Sequence, residues 1–263
     1  MNEYMKNSIV THAWHEFLYG CNSLDRKEFL SSMVSDYPIM FDSSEPAAVY
    51  VDDFILPKTE SSKNVDRYRV QATAREYCSF TLAAALVEQT IRQNELEKLN
   101  QRLTKFIRDV NRLFVSNDDI VINNIEELRN ALLISKQFYK ENYEILMSTG
   151  EFLGDFSTLP ISFMDFGMFA GAYKRGLGRT SHLAMILDFQ SSGAIVSQQA
   201  VNGLITRRMA GDAAIKVVCE PGEWKSYTDL SGMLAEDVHD YSTVDLDGSY
   251  GEYIKSLRMR NGI

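Results

Sequence analysis

Ser197 has the local sequence that best suits regulation by a phosphate group. An apolar run of strand length, 182–189, precedes it and apolar residues at helical spacing follow it, so the pattern predicts a helix that begins at Ser197. As a helix N-cap, its hydroxyl would contribute about 1 kcal/mol to stability. As a regulatory site, its phosphate would be stabilised by the helix N-terminus and would change the charge of a partner surface. Both interpretations stay open at this point.

A basic stretch that contains two glycines, 174–181, is the second candidate site. Lys174, Arg175 and Arg179 could hold an anion together with backbone N–H groups of the loop. The stretch matches neither the Walker A phosphate loop nor the dinucleotide fingerprint, which need a lysine or a third glycine at fixed places. A solvated turn is the alternative interpretation.

Two further patterns predict no chemistry. His12 and His15 are three residues apart and Glu16 follows, whereas zinc proteases place two histidines four apart with glutamate beside the first. We therefore expect no metal site, and no cofactor is indicated. Asp245 and Asp247 form an Asp-x-Asp-Gly pattern, but polar residues precede it and few residues follow it, so an acidic turn is predicted.

The charge of the chain is acidic and unevenly distributed. The net charge is −9 and the isoelectric point about 5.0, which argues against binding to nucleic-acid phosphates. The segment 220–252 holds nine acids and one base. It is interpreted either as a solvated acidic face or as a docking surface for a basic partner. The docking surface would include Asp229, Glu236, Asp237 and Asp240.

The overall composition is typical of a soluble globular protein. Hydrophobic residues make up 45% and charged residues 24% of the 263 residues. No apolar run approaches the roughly 20 residues that span a bilayer, and no secretory signal pattern is expected. Cys21, Cys78 and Cys219 are far apart and lack metal-ligand spacing, so we expect reduced thiols and a cytoplasmic location.

A tract without glycine or proline, Lys58 to Thr149, dominates the first half of the chain, whereas 14 of the 15 glycines lie at or after Gly150. This contrast predicts a mainly helical domain, 1–149, with a long helical hairpin over 66–149, and then an α/β domain, 150–263. An a/d heptad seam in the hairpin requires a partner helix, either within the chain or in a homodimeric coiled coil. The seam residues are Leu96, Leu99, Leu103, Phe106, Val110 and Leu113.

The individual elements follow from local periodicity. Apolar residues at helical spacing predict helices, and short apolar runs between turn residues predict strands. The alternation of strands and helices after residue 150 implies a mostly parallel sheet with helices against it. The predicted helices are 4–19, 25–36, 66–115, 168–173, 197–209, 226–237 and 250–258. A further helix is predicted to begin after a cap at Asn123 or Asn124 and to end at Gly150. The predicted strands are 47–56, 159–166, 182–189 and 213–219.

One stretch resembles a known family. Residues 187–205 read LDFQSSGAIVSQQAVNGLI, and IKVVC follows at 215–219. This order is similar to the core of STAS domains, the anti-sigma-factor-antagonist fold. In that family a strand that ends in Leu-Asp-hydrophobic is followed by Ile-Asp-Ser-Ser-Gly at the start of a helix, and a buried strand comes next. A gapless register places Ile195 on the family's isoleucine and Ser197 on its phosphorylatable serine.

The chain also departs from that pattern. Val196 replaces the family's aspartate, Gln198 and Gln199 replace Ser-Gly, and the segment 150–182 looks shortened or altered. Residues 229–233 resemble the late helix of the family. The resemblance implies a small STAS-like α/β domain that acts as a non-enzymatic switch and docks onto a kinase or another signalling protein.

Three functional hypotheses follow. The first is an intracellular regulatory or scaffolding protein whose STAS-like domain binds a protein partner. The second is an enzyme or a small-ligand- or nucleotide-binding protein that uses the loops 174–181 and 190–197, because parallel sheets bind ligands at the carboxyl ends of their strands. The third is an oligomeric assembly subunit built on the helical hairpin. None of them requires nucleic acid or a membrane span.

Overall fold

The computed structural model describes residues 7–11, 47–51, 54–58, 65–92, 100–115, 120–178, 183–189, 194–206, 213–219, 222–236 and 241–245. Within these ranges the chain forms five α-helices, five β-strands and a short 3-10 helix, Phe156–Thr158. The strands are β1 (Asn7–Thr11), β2 (Ala47–Val51), β3 (Leu183–Phe189), β4 (Ala213–Cys219) and β5 (Tyr241–Asp245). The helices are α1 (Arg67–Arg92), α2 (Asn100–Phe114), α3 (Ile125–Thr149), α4 (Phe166–Leu177) and α5 (Ile195–Thr206).

The described strands form one parallel sheet in the order β2-β3-β4-β1-β5. The register aligns Ile9 of β1 with Val217 of β4, and Met185 of β3 with Ile215 of β4. The chain is therefore mixed α/β. The strands predicted at 182–189 and 213–219 are confirmed as β3 and β4. The strand predicted over 47–56 is confirmed as β2 over 47–51, whereas residues 54–56 belong to no strand.

The two N-terminal strands pair across the predicted division of the chain. β1 and β2 lie in the segment 1–149, which was predicted to be mainly helical, yet they pair with strands of the segment 150–263. The described sheet therefore takes strands from both of the predicted domains. A short strand is stabilised by neighbours that are distant in the sequence, and local periodicity carries no information about them.

Strand β1 also replaces part of the helix predicted over 4–19, which is wrong at residues 7–11. The apolar stripe that suggested a helix includes Ile9 and Val10, and with Thr11 these residues form a β-branched run. Such residues lose rotamer freedom in a helix and favour strands. Pairing with β4 on one side and β5 on the other stabilises the extended form.

Helix α1 is the centre of the helical layer. It packs most extensively against α3, and it also contacts α5, α4 and β2. Fifteen of its 26 residues are buried. This explains why its sequence is apolar on several sides from Leu82 to Val87, as expected for a helix surrounded by other elements.

The heptad-bearing helix α2 packs against α4, and its contact with α3 is marginal. The ring of Phe106 meets those of Phe169 and Tyr173 edge-on, with centroids 5.6 and 5.5 Å away. Gly176 permits this approach, because a Cβ atom there would lie 2.6 Å from Phe106 Cβ. The predicted hairpin pairing is found between α1, the first part of the tract, and α3. The heptad part is covered by α4 instead, because a heptad seam specifies an apolar face but not the helix that covers it.

The ends of α3 and α4 are determined by local sequence. The side chain of Asn124 accepts a hydrogen bond from Glu127 N at 2.9 Å, and α3 ends at Gly150, whose φ is 82°. Asp165 caps α4 by accepting from Met168 N at 2.9 Å. The predicted cap and stop of α3 and the helix predicted at 168–173 are confirmed.

The segment 159–165 belongs to no strand or helix, so the strand predicted over 159–166 is wrong. Side chains of the helices satisfy its backbone instead. Ser135 Oγ donates to the carbonyl of residue 161 at 2.7 Å, and Tyr139 Oη donates to the carbonyl of residue 162. Met164 N donates to Glu76 Oε2 at 2.9 Å. These bonds fix the segment to α1 and α3.

Residues 226–236 form a turn closed by an isolated antiparallel bridge, so the helix predicted over 226–237 is wrong, as is the late helix that the family resemblance implied. The Asp229 carboxylate accepts hydrogen bonds from the backbone N–H groups of Ser231 and Met233, both at 2.8 Å. Gly232 has a φ of 89°, which interrupts a helix. Short-range hydrogen bonds from aspartate compete with helix formation in this way.

One face of the sheet packs on the helical layer. Alternate residues of β3 and β4, beginning at Leu183 and Ala213, belong to the same apolar cluster as the helices. All seven residues of each strand are buried, so the second face is buried as well. Asp188 and Lys216 lie on that second face, because side chains alternate along a strand.

Several predicted features lie outside the described residues. They are His12, His15, Glu16, Arg179, Asp237, Asp240, Asp247, Leu96, Leu99, the helices 25–36 and 250–258, and the junction 93–99 between α1 and α2.

Candidate functional site

Ser197 is buried, and its hydroxyl has a structural partner. Helix α5 begins at Ile195, so Ser197 lies inside the first turn rather than at the N-cap. Its side chain is fully buried, and Oγ accepts a hydrogen bond from Leu56 N at 2.9 Å. Ala194 N donates to the carbonyl of Leu56 at 3.0 Å. Ser197 thus joins the chain after β2 to the start of α5, and a phosphate could reach it only if this contact opened.

The basic residues of the predicted anion loop lie at the wrong end of a helix for that role. Lys174 and Arg175 occupy the last turn of α4, and Gly178 ends the helix with a φ of 63°. Carbonyl groups point out of a helix C-terminus, and they favour cations rather than anions. Arg102 Nη1 donates to one of these carbonyls, that of Leu177, at 3.2 Å. The described part of the loop therefore does not present a cradle of N–H groups.

The described seam residues are covered within the chain. Leu103, Phe106 and Val110 are buried, and Leu113 is partly buried against the same core. Their cover is α4, so this part of the seam is not available to a second copy. An assembly based on the seam would need residues outside the described ranges.

Of the predicted acidic docking residues, Asp229 and Glu236 are described. Glu236 is exposed. Asp229 lines an open groove of about 990 Å³ between four parts of the chain. We call it the α1–α5 groove: it is bounded by the first half of α1, the segment 163–168, the second half of α5 and the turn 229–232.

Apolar side chains surround the α1–α5 groove and are open to solvent. Tyr68 is 84% exposed, Phe163 50% and Met168 48%. No sequence pattern marks these residues, because the groove brings together segments more than 160 positions apart. Exposed aromatic and methionine side chains around a concavity are typical of a surface that binds another molecule.

The charged groups of the groove differ in how firmly they are held. Arg67 has no ion pair among the described residues. Arg75 lies 3.3 Å from Glu76, which is almost completely buried beneath the wall of the groove. Burial raises the pKa of the Glu76 carboxyl above 4.5, although its hydrogen bond from Met164 N opposes this rise. Glu76 therefore supports the wall and is not a free carboxylate.

The carboxyl edge of the sheet carries a row of aromatic residues. Phe54 follows β2, Phe189 ends β3 and Trp224 follows β4. The centroid distances are 6.2 Å between Phe54 and Phe189 and 5.7 Å between Phe189 and Trp224. Within the described part of the chain, the buried indole nitrogen of Trp224 has no hydrogen-bond partner.

Two amide side chains of α5 fix the segment that follows β4. Gln198 Oε1 accepts from the backbone N–H groups of Lys225 and Ser226, both at 2.9 Å, and its Nε2 donates to the carbonyl of Glu223 at 2.9 Å. Asn202 Nδ2 donates to the carbonyl of Ser226 at 2.7 Å. Both amides are buried. Gln198 and Asn202 thus have a structural role, because they join α5 to the segment that follows β4.

Asp188 and Lys216 are buried ionisable residues that belong to no recognisable sequence motif. They are 6% and 1% exposed. The register aligns Ile186 with Lys216, so Asp188 is two residues nearer the carboxyl end of the neighbouring strand. Burial lowers the pKa of Lys216 from 10.5 to about 8. A charged residue inside each of two apolar strand patterns was the available signal.

Comparison of the chain with protein-family models, with curated proteins and with solved structures finds no match. Among the described residues, no group of three or more histidine, cysteine, aspartate or glutamate side chains could hold a metal ion. Of the helices that the structure describes, none combines the length and apolar character needed to cross a bilayer.

Proposed function

We propose that this protein is a non-enzymatic regulatory or scaffolding protein that binds a segment of a partner protein in the α1–α5 groove. The observation that carries the proposal is the exposed apolar border of that groove, formed by Tyr68, Phe163 and Met168. Asp229, a residue of the acidic docking surface expected from the sequence, lies in the same groove.

The shape and chemistry of the groove favour a peptide segment over a small molecule. The groove is open and is bordered by several chain segments, so a ligand of extended shape would contact more of it than a compact one. Asp165 and Asp229 are engaged with backbone N–H groups, which leaves apolar side chains and arginine as the principal contact groups. Aromatic residues, methionine and arginine are enriched in protein interfaces for the same reasons.

A comparison of two variants tests the proposal. Met168→Glu places a charge on the border of the groove, whereas Leu153→Glu places the same charge on an apolar side chain that is 66% exposed and does not line the groove. Affinity capture from native lysate, read by mass spectrometry, should return the same protein for the wild type and Leu153→Glu. We expect at least about tenfold less of it with Met168→Glu.

Equal capture by all three proteins, or capture of no protein by the wild type, would refute the groove as the docking site. Circular dichroism of both variants checks that the charge has not unfolded them. Because both side chains are largely exposed, their substitution should change stability little.

A second candidate function is binding of a nucleotide or another small ligand at the carboxyl edge of the sheet. Two observations favour it: all described strands are parallel, and Asp188 lies near the carboxyl end of β3. β1 and β4 are neighbours in the sheet. The next described strand after β1 is β2, which lies on the β4 side of this pair, whereas the next described strand after β4 is β5, which lies on the β1 side. Parallel sheets place ligands in the crevice at such a reversal.

Thermal shift with a panel of nucleotides and metabolites tests the second candidate. A ligand that raises the midpoint of thermal unfolding of the wild type, but not that of the Asp188→Asn or Arg179→Ala variant, would support this function. A panel in which no compound raises the midpoint of the wild type would count against it.

A further inference from the structure

The outer face of α2 carries a row of exposed cations. Arg102, Lys105, Arg108 and Arg112 are all exposed, whereas Leu103, Phe106 and Val110 on the opposite side are buried against the protein. We call these four residues the α2 cationic face. Within a chain of net charge −9, this is a local reversal of sign.

Most of this positive charge is not neutralised by the described part of the chain. Arg112 lies 3.7 Å from Asp109, and the Arg112 side chain is 75% exposed. Arg102 bonds a carbonyl group, which leaves its charge in place. Lys105 and Arg108 have no ion pair with any described residue. The face therefore attracts anionic groups.

A shallow depression of about 550 Å³ adjoins the C-terminal end of the cationic face. Arg108 and Arg112 stand beside it, and Ile107, Val115 and Val121 supply apolar surface. Val121 is 62% exposed. The depression thus offers a place for an apolar side chain next to two guanidinium groups.

The wall of the depression is held in place by one asparagine. Asn111 Nδ2 donates to the carbonyl of Ile122 at 2.7 Å, and Ile122 N donates to Asn111 Oδ1 at 2.9 Å. This reciprocal pair fixes the chain that follows α2 onto the helix. A surface that is rigid before binding loses less conformational entropy when a ligand docks.

From these features we infer that the α2 cationic face binds an acidic segment of a partner protein, with an apolar side chain of that segment in the depression. The carboxylates pair with Lys105, Arg108 and Arg112, since arginine holds carboxylates in bidentate geometry. A protein segment fits better than a nucleic acid, because the net charge of −9 repels a long polyanion and the depression offers apolar surface from Ile107, Val115 and Val121. This surface is distinct from the α1–α5 groove.

The test uses a fluorescein-labelled peptide of alternating glutamate and leucine residues, with binding to the full chain read by fluorescence anisotropy. Lys105→Glu/Arg108→Glu should weaken binding at least about tenfold, because it replaces attraction by repulsion. Lys58→Glu/Lys225→Glu is the matched control, since it makes the same change of net charge at two exposed lysines elsewhere. The control should stay within about twofold of the wild type.

Further measurements separate the contributions and the class of partner. Val121→Ser should weaken peptide binding by removing apolar contact, and high salt should weaken it by screening the charges. Met168→Glu should leave peptide binding unchanged, because Met168 lies on the border of the α1–α5 groove. Absence of saturable peptide binding, or equal losses in the two double variants, would overturn the inference. Tighter binding of oligothymidine or of phosphatidylserine vesicles than of the peptide would also overturn it.

Discussion

The contact between α2 and α4 predicts that the same substitution has opposite effects at two helical glycines. Gly176 of α4 faces α2, and a Cβ atom there would lie 2.6 Å from Phe106 Cβ and 2.8 Å from Phe106 Cα. Gly203 of α5 has space: the nearest atom to its Cβ would be Asp229 Cβ at 3.8 Å. Gly176→Ala should therefore destabilise the protein, whereas Gly203→Ala should stabilise it.

The expected magnitudes follow from two opposing terms. Alanine is favoured over glycine inside a helix by about 0.5–1 kcal/mol, which applies at both positions. At Gly176 the contacts below 3 Å involve backbone and the fully buried Phe106, so the helices must separate. Overpacking of this kind costs about 1–3 kcal/mol. We expect a net loss of up to about 2.5 kcal/mol at Gly176 and a net gain of about 0.5–1 kcal/mol at Gly203.

Urea unfolding followed by circular dichroism measures both effects as shifts in the free energy of unfolding. The wild type and the two variants should share the same slope, so that their midpoints report stability directly. If Gly176→Ala stabilised the protein as much as Gly203→Ala, α2 could not pack against α4 as described. The covering of the heptad seam within one chain would then be refuted.

Three more predictions concern buried groups. Because the pKa of Glu76 is raised in the folded state, the folded chain binds more protons than the unfolded one, and stability falls as pH rises from about 4.5 through that folded pKa. Glu76→Gln keeps an acceptor for Met164 N and should remove this fall. Urea unfolding midpoints measured across acidic and neutral pH would show the difference. Ser197→Ala leaves the buried N–H of Leu56 without its acceptor and should lower the free energy of unfolding by about 1–3 kcal/mol, so a change under about 0.5 kcal/mol in urea unfolding would contradict that bond. Burial raises the pKa of the Cys78 thiol to about 12, so iodoacetamide should label Cys78 only after denaturation. Mass spectrometry that showed labelling of Cys78 in the folded chain at neutral pH would contradict its burial.

The elements that could be predicted from the sequence are those with local causes. Asn124 and Gly150 determine the ends of α3 through hydrogen bonds and a left-handed backbone within a few residues of each end. The strands β3 and β4 are apolar runs that each contain a single charged residue, and such runs are typical of strands buried on both faces of a parallel sheet. In each case the physical reason lies within a short stretch of chain.

Only the tertiary structure decided the elements whose partners are distant in sequence. The segment 159–165 has an apolar pattern, but bonds from helix side chains take the place of sheet pairing. β1 is a strand because β4 and β5 border it, although its residues also fit a helical stripe. The sequence places Ser197 near a helix start, yet its role depends on Leu56, which is 141 positions away.

The candidate binding surfaces divide in the same way. The alternation of cations and apolar residues along α2 is visible in the sequence, since both sides of one helix follow from a period of 3.6 residues. The α1–α5 groove is not visible there, because no single segment contains enough of it to form a pattern. Helix periodicity and capping were thus set by the sequence alone, whereas the covering of each apolar face, and the concavities left between the elements, depended on contacts that form only when the whole chain packs.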